Sequence, residues 1–364
     1  MQVDDKTLNE IQEAIEPDAM TLALMLSTSE LANYSDETDL NKAIEIFIDG
    51  YNIFTETGVT PGEAHMAFRW LFYATDGYFN DFVSEIINQF NPPHKLAKID
   101  GVLGELQQHK INYIVEQIHN DGFYVFKNKL SNAVCDRLIN FALTTQSIPY
   151  NPPFTHQKTV YNRQNLLAPT YHFDELDLIN DPEIQNLLTD TSILAIAQSY
   201  LGCKPIQDLV AMWWSTTFEK QANSAAAQLY HCDMDRIKFI KFFVYLTDVT
   251  PENGPHCYVK GSCQSKPPEL LKDGRIADAE IYQYYRQEDI VEITGSCGTI
   301  IAADTRGFHK GKPLNSGERL VLQLEFSNSL FGGAYNSVTL EKVKENTSFT
   351  NYIDQFKHTY SRFI

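Results

Sequence analysis

Two neighbouring stretches decide the reading of this chain: Tyr230-His231-Cys232-Asp233 and, just after it, Phe239-Ile240-Lys241-Phe242-Phe243-Val244-Tyr245-Leu246. The second is a short apolar run with a single charge, bounded by polar residues. Its length and its aromatic and β-branched content predict a buried strand. Working outward, Leu209–Trp214, Glu292–Ile293, Thr299–Ala302 and Leu320–Phe326 have the same texture, and turns carrying Gly, Pro, Asn and Asp separate them. Upstream, Ile111–His119 and Leu130–Ala142 read as helices, the second capped by Ser131 or Asn132, and Phe123–Phe126 reads as a strand. Many short strands with flanking helices predict a mainly β fold, an antiparallel sandwich or barrel of jelly-roll type.

Further toward the N-terminus the texture is helical. Leu22, Leu24, Met25 and Leu26, then Ile44, Ile46, Phe47 and Tyr51, recur at helical spacing. Pro61-Gly62-Glu63 reads as a helix start with Thr60 as its cap, and Asn91-Pro92-Pro93 as a break.

The chain carries 29 basic and 47 acidic residues, a net charge of −18, which argues against a nucleic-acid partner and against docking on an anionic membrane. No apolar run reaches membrane-spanning length, and Met1-Gln2-Val3-Asp4-Asp5 lacks the basic start of a secretory signal. Cysteines 135, 203, 232, 257, 263 and 297 form no Cys-x-x-Cys pair. The expectation is a reduced, cytoplasmic protein.

His231 and Asp233 stand two apart, so in an extended chain both point to one side. Alone the triplet means little: with 10 histidines and 47 acids, about 1.3 such triplets arise by chance. Three are present. His119/Asp121 sits at a helix end, where capping explains it, and His172/Asp174 reads as a solvated loop or asx turn. His231/Asp233 precedes the apolar strand and follows Tyr230, so a site there would have aromatic walls. Two histidines and a carboxylate on one face of an octahedron leave three positions open, which suits Fe(II) binding a bidentate 2-oxo acid and then O2. His309, after the strand ending at Asp304 and flanked by Gly307 and Gly311, is the better second histidine. His256, in the Asn253-Gly254-Pro255 turn, is the competitor, ranked lower because turn residues rarely aim into a barrel. Arg319, across a reversal from His309, reads either as a buried fork for a carboxylate or as a surface ion pair.

Taken in order, Gln228-Leu229-Tyr230-His231-Cys232-Asp233-Met234-Asp235, Phe243 to Val249, Glu252-Asn253-Gly254-Pro255, Val259-Lys260-Gly261-Ser262, Gly298-Thr299, Asp304 to Gly311 and Glu318-Arg319-Leu320 resemble the phytanoyl-CoA dioxygenase family. The resemblance spans roughly residues 110–335. It implies a double-stranded β-helix (jelly-roll, cupin-like) core and the use of Fe(II), 2-oxoglutarate and O2. It implies His231, Asp233 and His309 as iron ligands and Arg319 as the anchor for the far carboxylate of 2-oxoglutarate. The chain departs from the family at Gly311, where a serine hydroxyl often stands, and at Cys263, where a histidine follows Gly-Ser. Related halogenases carry a small residue in place of Asp233, so its presence favours hydroxylation or another oxidation over halogenation.

The chain is accordingly divided into a helical region of unknown role (1–108), the oxygenase domain (109–335) and a tail expected to be helical (336–364). Tyr245 is a further candidate for 2-oxoglutarate, with a packed core tyrosine as the alternative; Lys241, which shares its strand face, is also a cofactor-binding candidate, and Gln228 is a weaker one. Asp235 could orient His231 or cap a turn. Trp213, Trp214, Arg163 and Arg306 are candidates for a substrate pocket, each with a structural role as the alternative. Cys232 should point away from the metal. The function expected is a dioxygenase that hydroxylates a small molecule and releases succinate and CO2. The alternatives are a non-catalytic binding protein on the same fold and a protein or peptidyl hydroxylase. The N-terminal helices could cover the barrel, form a lid or build a homo-oligomer.

Overall fold

The structure, a computed structural model, describes residues 37–364 except 152, 153, 156, 220, 221, 223, 225, 344, 345 and 364, and before them only 17, 21 and 25. The apolar spacing at Leu22, Leu24 and Leu26 lies outside the described residues. Helices α1 (Glu37–Thr57), α2 (Gly62–Ala74) and α3 (Tyr78–Phe90) form an N-terminal layer. Helix α4 (Gln108–Asp121), strand β1 (Phe123–Lys129) and helix α5 (Asn132–Thr144) follow, then β2 (Gln146–Asn151), β3 (Phe154–Thr155), β4 (Thr159–Val160) and β5 (Thr170–His172). Short helices α6 (Glu175–Ile179), α7 (Pro182–Leu188) and α8 (Thr191–Leu201) lead to β6 (Ile206–Ser215) and β7 (Phe239–Tyr245). The remaining elements are β8 (His256–Val259), α9 (Asp278–Tyr284), β9 (Ile290–Ile293), β10 (Thr299–Ala303), β11 (His309–Gly311), β12 (Arg319–Ser327) and α10 (Thr347–Gln355).

One large antiparallel sheet runs β1-β10-β7-β12-β6-β5-β2-β3, with β4 beside β2, and a smaller one runs β11-β8-β9. The small sheet is extended at its β11 edge: His231 bridges His309, and Tyr230 bridges Ile276. From β6 onward the chain passes from large sheet to small and back: β6, the 230–231 edge, β7, then β8 and β9, β10, β11, β12. That winding is a double-stranded β-helix, as expected.

Strand β7 shows why the sequence folds so. Every residue of it is buried, and a period of two splits it between two cores. Ile240, Phe242 and Val244 pack with Ile114 and Ile118 of α4 and Ile196 of α8, while Phe243 and Tyr245 face the barrel interior with Ile301 and Val321. Each such side chain contributes about 1.5–3 kcal/mol of burial, which is why this strand lacks the polar alternation of a half-solvated one.

The N-terminal layer closes the other side. Phe47, Tyr51, Phe68 and Phe79 share one apolar core with Tyr230, Cys232, Cys257, Val259 and Phe308. These last five lie on, or next to, the strands and edge segment of the small sheet, so the helices cover the back of the sheet whose front carries the histidines. Phe331 anchors the junction, its ring 5.0 Å from Phe47 and 5.3 Å from Tyr51. Thr60 does not cap α2, whose preceding residue is Pro61 without a side-chain cap; its hydroxyl instead accepts from the backbone N–H of Gly332 at 2.9 Å, tying the helical layer to the segment after β12. Among residues 336–364, Phe349 and Ile353 of α10, with Phe356, Tyr360 and Phe363, join the main core. Among the described residues no helix is long and apolar enough to cross a membrane.

Candidate metal centre

His231 and His309 are brought together by the backbone itself. The N–H of each donates to the carbonyl of the other at 3.1 Å, and an antiparallel pair of this kind projects both side chains to one face. Their rings lie 4.3 Å apart. Asp233 follows two residues on and is fixed by its N–H, which donates to Thr305 O at 2.8 Å. Gly307 is required nearby, because a Cβ there would lie 2.0 Å from the Tyr258 hydroxyl.

The ligand atoms are set as a metal would need them. The Nδ1 atoms of His231 and His309 lie 2.9 Å from Leu229 O and 3.0 Å from Gly307 O, contacts that place the proton on Nδ1 and leave each Nε2 lone pair free. Those Nε2 atoms stand 3.4 Å and 3.3 Å from the two Asp233 oxygens. The three donors lie within 4.8 Å of one another, the spacing of three ligands around one ion. Two neutral imidazoles and a carboxylate make the donor set of non-haem iron.

The electrostatics agree. Burial lowers the pKa of His231, and His309 beside it adds to the effect, so it presents as neutral imidazole. Burial alone would raise Asp233; the Lys241 ammonium, with the His309 ring beside it, overcomes this and holds the carboxyl well below its usual range. Lys241 Nζ reaches Asp233 and Asp235 at 2.8 Å each and Glu325 at 3.5 Å. It therefore stands behind Asp233 and does not line the cavity, which corrects its expected place at the cofactor: its charge is taken up by three carboxylates. Asp235 acts on Lys241, whereas His231 takes its orientation from Leu229 O.

The triad opens into a cavity of about 380 Å³. Arg319, buried in its wall, has one hydrogen-bond partner there: its Nη2 donates to Ser215 Oγ at 3.1 Å, while its Nε has none. Burial lowers its pKa, but a guanidinium so placed remains charged. No carboxylate among the described residues pairs with it. A Cβ at Gly311 would come 3.3 Å from Arg319 Nη2. The hydroxyl missing at Gly311 is thus replaced by Ser215, aligned with Arg319 in the β6–β12 register.

Tyr245 lines the same wall; its hydroxyl donates to Ile293 O at 2.8 Å and accepts from His256 N–H at 3.1 Å. Gln228 is buried but does not line the cavity, whereas Ala226 and Ala227 do. Cys232 packs toward the N-terminal helices, away from the triad, as alternation required. His256 is no turn residue: it opens strand β8, its ring stacks on His309 at 5.4 Å, and its buried Nε2 has no hydrogen-bond partner. It lies outside the three-donor cluster. Of the four pocket candidates only Trp213 lines the cavity. Trp214 is buried and donates to Ala142 O, Arg163 pairs with Glu318, and Arg306 pairs with Asp304 and Asp81. His172 is a correction in the other direction: it sits on β5 in the cavity wall, stacked on Trp213, and burial pushes its pKa down to about 4. His119 does no capping: its ring stacks on Tyr200, and Asp121 pairs with Lys260.

The family model for phytanoyl-CoA dioxygenase matches residues 118–320, more than half of the chain. The chain belongs to the phytanoyl-CoA dioxygenase family. Membership carries with it the iron, 2-oxoglutarate and O2 that the motif resemblance implied, and the donor set fits that metal. It makes the chain an oxygenase; the product and the substrate are separate questions. No curated protein matches the chain by sequence. Among solved structures, HygX from Streptomyces hygroscopicus with nickel and 2-oxoglutarate bound is 16% identical, over 67% of this chain and 94% of that one, with a TM-score of 0.45. SnoN, the non-heme alpha ketoglutarate dependent epimerase from nogalamycin biosynthesis, is 16% identical over 60% and 84%, with a TM-score of 0.45. EctD from S. alaskensis is 15% identical over 65% and 83%, with a TM-score of 0.45. The assignment rests on the family match and on the residues of the site.

Proposed function

We infer that this family member hydroxylates a small molecule. Iron with 2-oxoglutarate and O2 supplies the oxidation: one oxygen atom enters succinate as CO2 leaves, and the other enters a substrate C–H bond as a hydroxyl. The observation that carries the reading is Arg319, a buried cation without a carboxylate partner, opening into the same cavity as the triad.

The chain's residues divide the work. His231, Asp233 and His309 hold the metal on one face and leave the opposite positions to ligands. Lys241 keeps Asp233 ionised, so the carboxylate binds metal and not a proton. Arg319 forks onto the far carboxylate of 2-oxoglutarate, with Ser215 fixing one of its nitrogens. Tyr245, opposite Val321 in the β7–β12 register, walls that subsite and pins the backbone of His256. Trp213, Phe243 and Val321 supply apolar surface that excludes water from the reacting centre. The size of the cavity supports a small molecule over an exposed protein segment as substrate.

The test is anaerobic addition of Fe(II) and 2-oxoglutarate. The weak visible charge-transfer band of the loaded site should appear and vanish in Asp233→Ala. Succinate release across a substrate panel then tests hydroxylation, with mass spectrometry reading the added oxygen. No band with the native chain sinks the reading.

A further inference from the structure

The cavity holds one charged group that neither metal nor 2-oxoglutarate requires. Among the described lining residues Asp233 is the single carboxylate, and Arg275 and Arg319 are the two guanidiniums. Arg319 is assigned to 2-oxoglutarate. Arg275 is exposed yet lines the cavity, which puts it at the mouth.

Its direction follows from the strand edge. Ile276 N–H donates to Tyr230 O at 2.8 Å, and Tyr230 N–H returns to Ile276 O at 3.1 Å. Tyr230 and Ile276 both pack outward, in the core shared with the N-terminal helices. Alternation then turns their neighbours His231 and Arg275 to the opposite side, into the cavity. The guanidinium is thus carried on the same sheet edge as a metal ligand.

Four other cations, on elements that pack nearby or follow in sequence, each have an acidic partner. Arg69 takes Asp273 at 2.5 Å, Lys272 takes Glu280 at 2.6 Å, Lys310 takes Asp278 at 2.6 Å, and Arg286 takes Asp289 at 2.9 Å. Arg275 has no hydrogen bond or ion pair among the described residues, in a chain whose net charge is −18. The acids of its own segment are claimed by others. The charge count of the cavity makes the same point. A divalent metal, the Asp233 carboxylate and two guanidiniums leave three positive charges. The 2-oxoglutarate dianion neutralises two, and one remains, at the mouth.

We propose that Arg275 is a specificity-determining residue that receives an anionic group of the substrate, so that the substrate is a small organic acid with an oxyanion remote from the carbon that is oxidised. The shared chemistry is a carboxylate or a phosphate monoester, either of which suits the guanidinium fork. The proposal rests on the oxygenase reading above, and its test separates the two.

The protein is loaded anaerobically with Fe(II) and 2-oxoglutarate, and the appearance of the band checks the oxygenase reading by itself. Matched probes are then titrated against the band: small carboxylic acids with their primary amides, and phosphate monoesters with their parent alcohols. Native protein and Arg275→Gln are compared, with melting temperature confirming that this exposed substitution leaves the fold intact. The expected result is that one class of anion perturbs the band at ten-fold or lower concentration than its neutral partner, and that Arg275→Gln erases the difference while leaving 2-oxoglutarate affinity unchanged. Whether acids or phosphates show the difference identifies the group. The proposal is overturned if anions and neutral partners behave alike, if no probe perturbs the band, or if the preference survives in Arg275→Gln. It is overturned also if that variant weakens 2-oxoglutarate itself, since Arg275 would then serve the cosubstrate.

Discussion

Arg306 and Arg319 stand in two regions of the molecule and solve the same problem in opposite ways. Both side chains are buried. Arg306, beneath the helical layer, donates to Asp304 through Nε at 3.2 Å and Nη2 at 3.0 Å, and to Asp81 of α3 through Nη1 at 2.9 Å. Tyr200 adds its hydroxyl to the same Asp304 carboxylate. Arg319, inside the barrel, has the Ser215 hydroxyl and a vacant Nε. The first is a closed lock between the N-terminal helices and the turn before His309. The second is a charge the fold has desolvated and left open, which is costly unless a ligand supplies the counter-charge. Pairing, and not burial, separates a structural arginine from a binding one here.

The largest effect should come from emptying the barrel side. Asp233→Ala removes the carboxylate donor, while Lys241 retains Asp235 and Glu325 as partners. Metal-dependent succinate release should fall by about 10³-fold or more, since metal chemistry is worth several kcal/mol, with the melting temperature little changed. A variant that lost its fold as well would show that the barrel interior is structural, and would break the contrast.

Next is the lock. Arg306→Gln leaves Asp304 buried without its cation, and breaking such a pair costs about 3–5 kcal/mol. Urea unfolding should register that loss, whereas the folded fraction should bind 2-oxoglutarate as the native chain does. The mirror experiment is smaller and inverted. Arg319→Gln should raise the 2-oxoglutarate dissociation constant roughly 10- to 100-fold, the worth of a charged hydrogen-bonded contact. Stability in urea should hold or rise, because an unpaired desolvated charge is gone. If Arg319→Gln instead destabilises as Arg306→Gln does, the two arginines are alike and the assignment of Arg319 fails.

Much of this is legible in the sequence. Strand β7 shows itself by an apolar run broken by Lys241 alone, and the candidate triad by its order along the chain. What stayed hidden depends on register. Ser215 reaches Arg319 because β6 pairs with β12, and nothing in the local sequence around Trp214-Ser215 signals it. His256 reads as a turn residue because Asn253-Gly254-Pro255 precedes it, yet the strand begins at that residue and aims it inward. His172 looked like loop because β5 is only three residues long, too short for a pattern of period two. Arg306 and Arg319 each stand close to an acidic residue in sequence, Asp304 and Glu318, but only Arg306 pairs with its neighbour, and Asp81, far upstream, completes that pairing.

The smallest effect contrasts the two regions through histidines. His172 lies in the cavity wall beside Trp213, and His94 lies near the C-terminal segment, where it contacts Thr359 Oγ1 at 2.8 Å. Burial pushes both down to about 4, with His358 and Lys204 adding to the effect on His94. Their folded values lie below the unfolded value near 6.5, so between those limits the unfolded chain binds more protons. Stability should therefore fall as pH drops from about 6.5 to about 4 and level off below, with a slope of at most about 1.4 kcal/mol per pH unit for each histidine and less where water screens the ring. His94→Gln should remove one share of that slope and leave 2-oxoglutarate binding untouched. His172→Gln should remove the other share and also alter the cavity, because its ring packs on Trp213. Urea midpoints measured across that pH window decide it: a slope unchanged in His94→Gln would mean that His94 is not held neutral by the fold, and a binding change in His94→Gln would join two regions that the arginines keep apart.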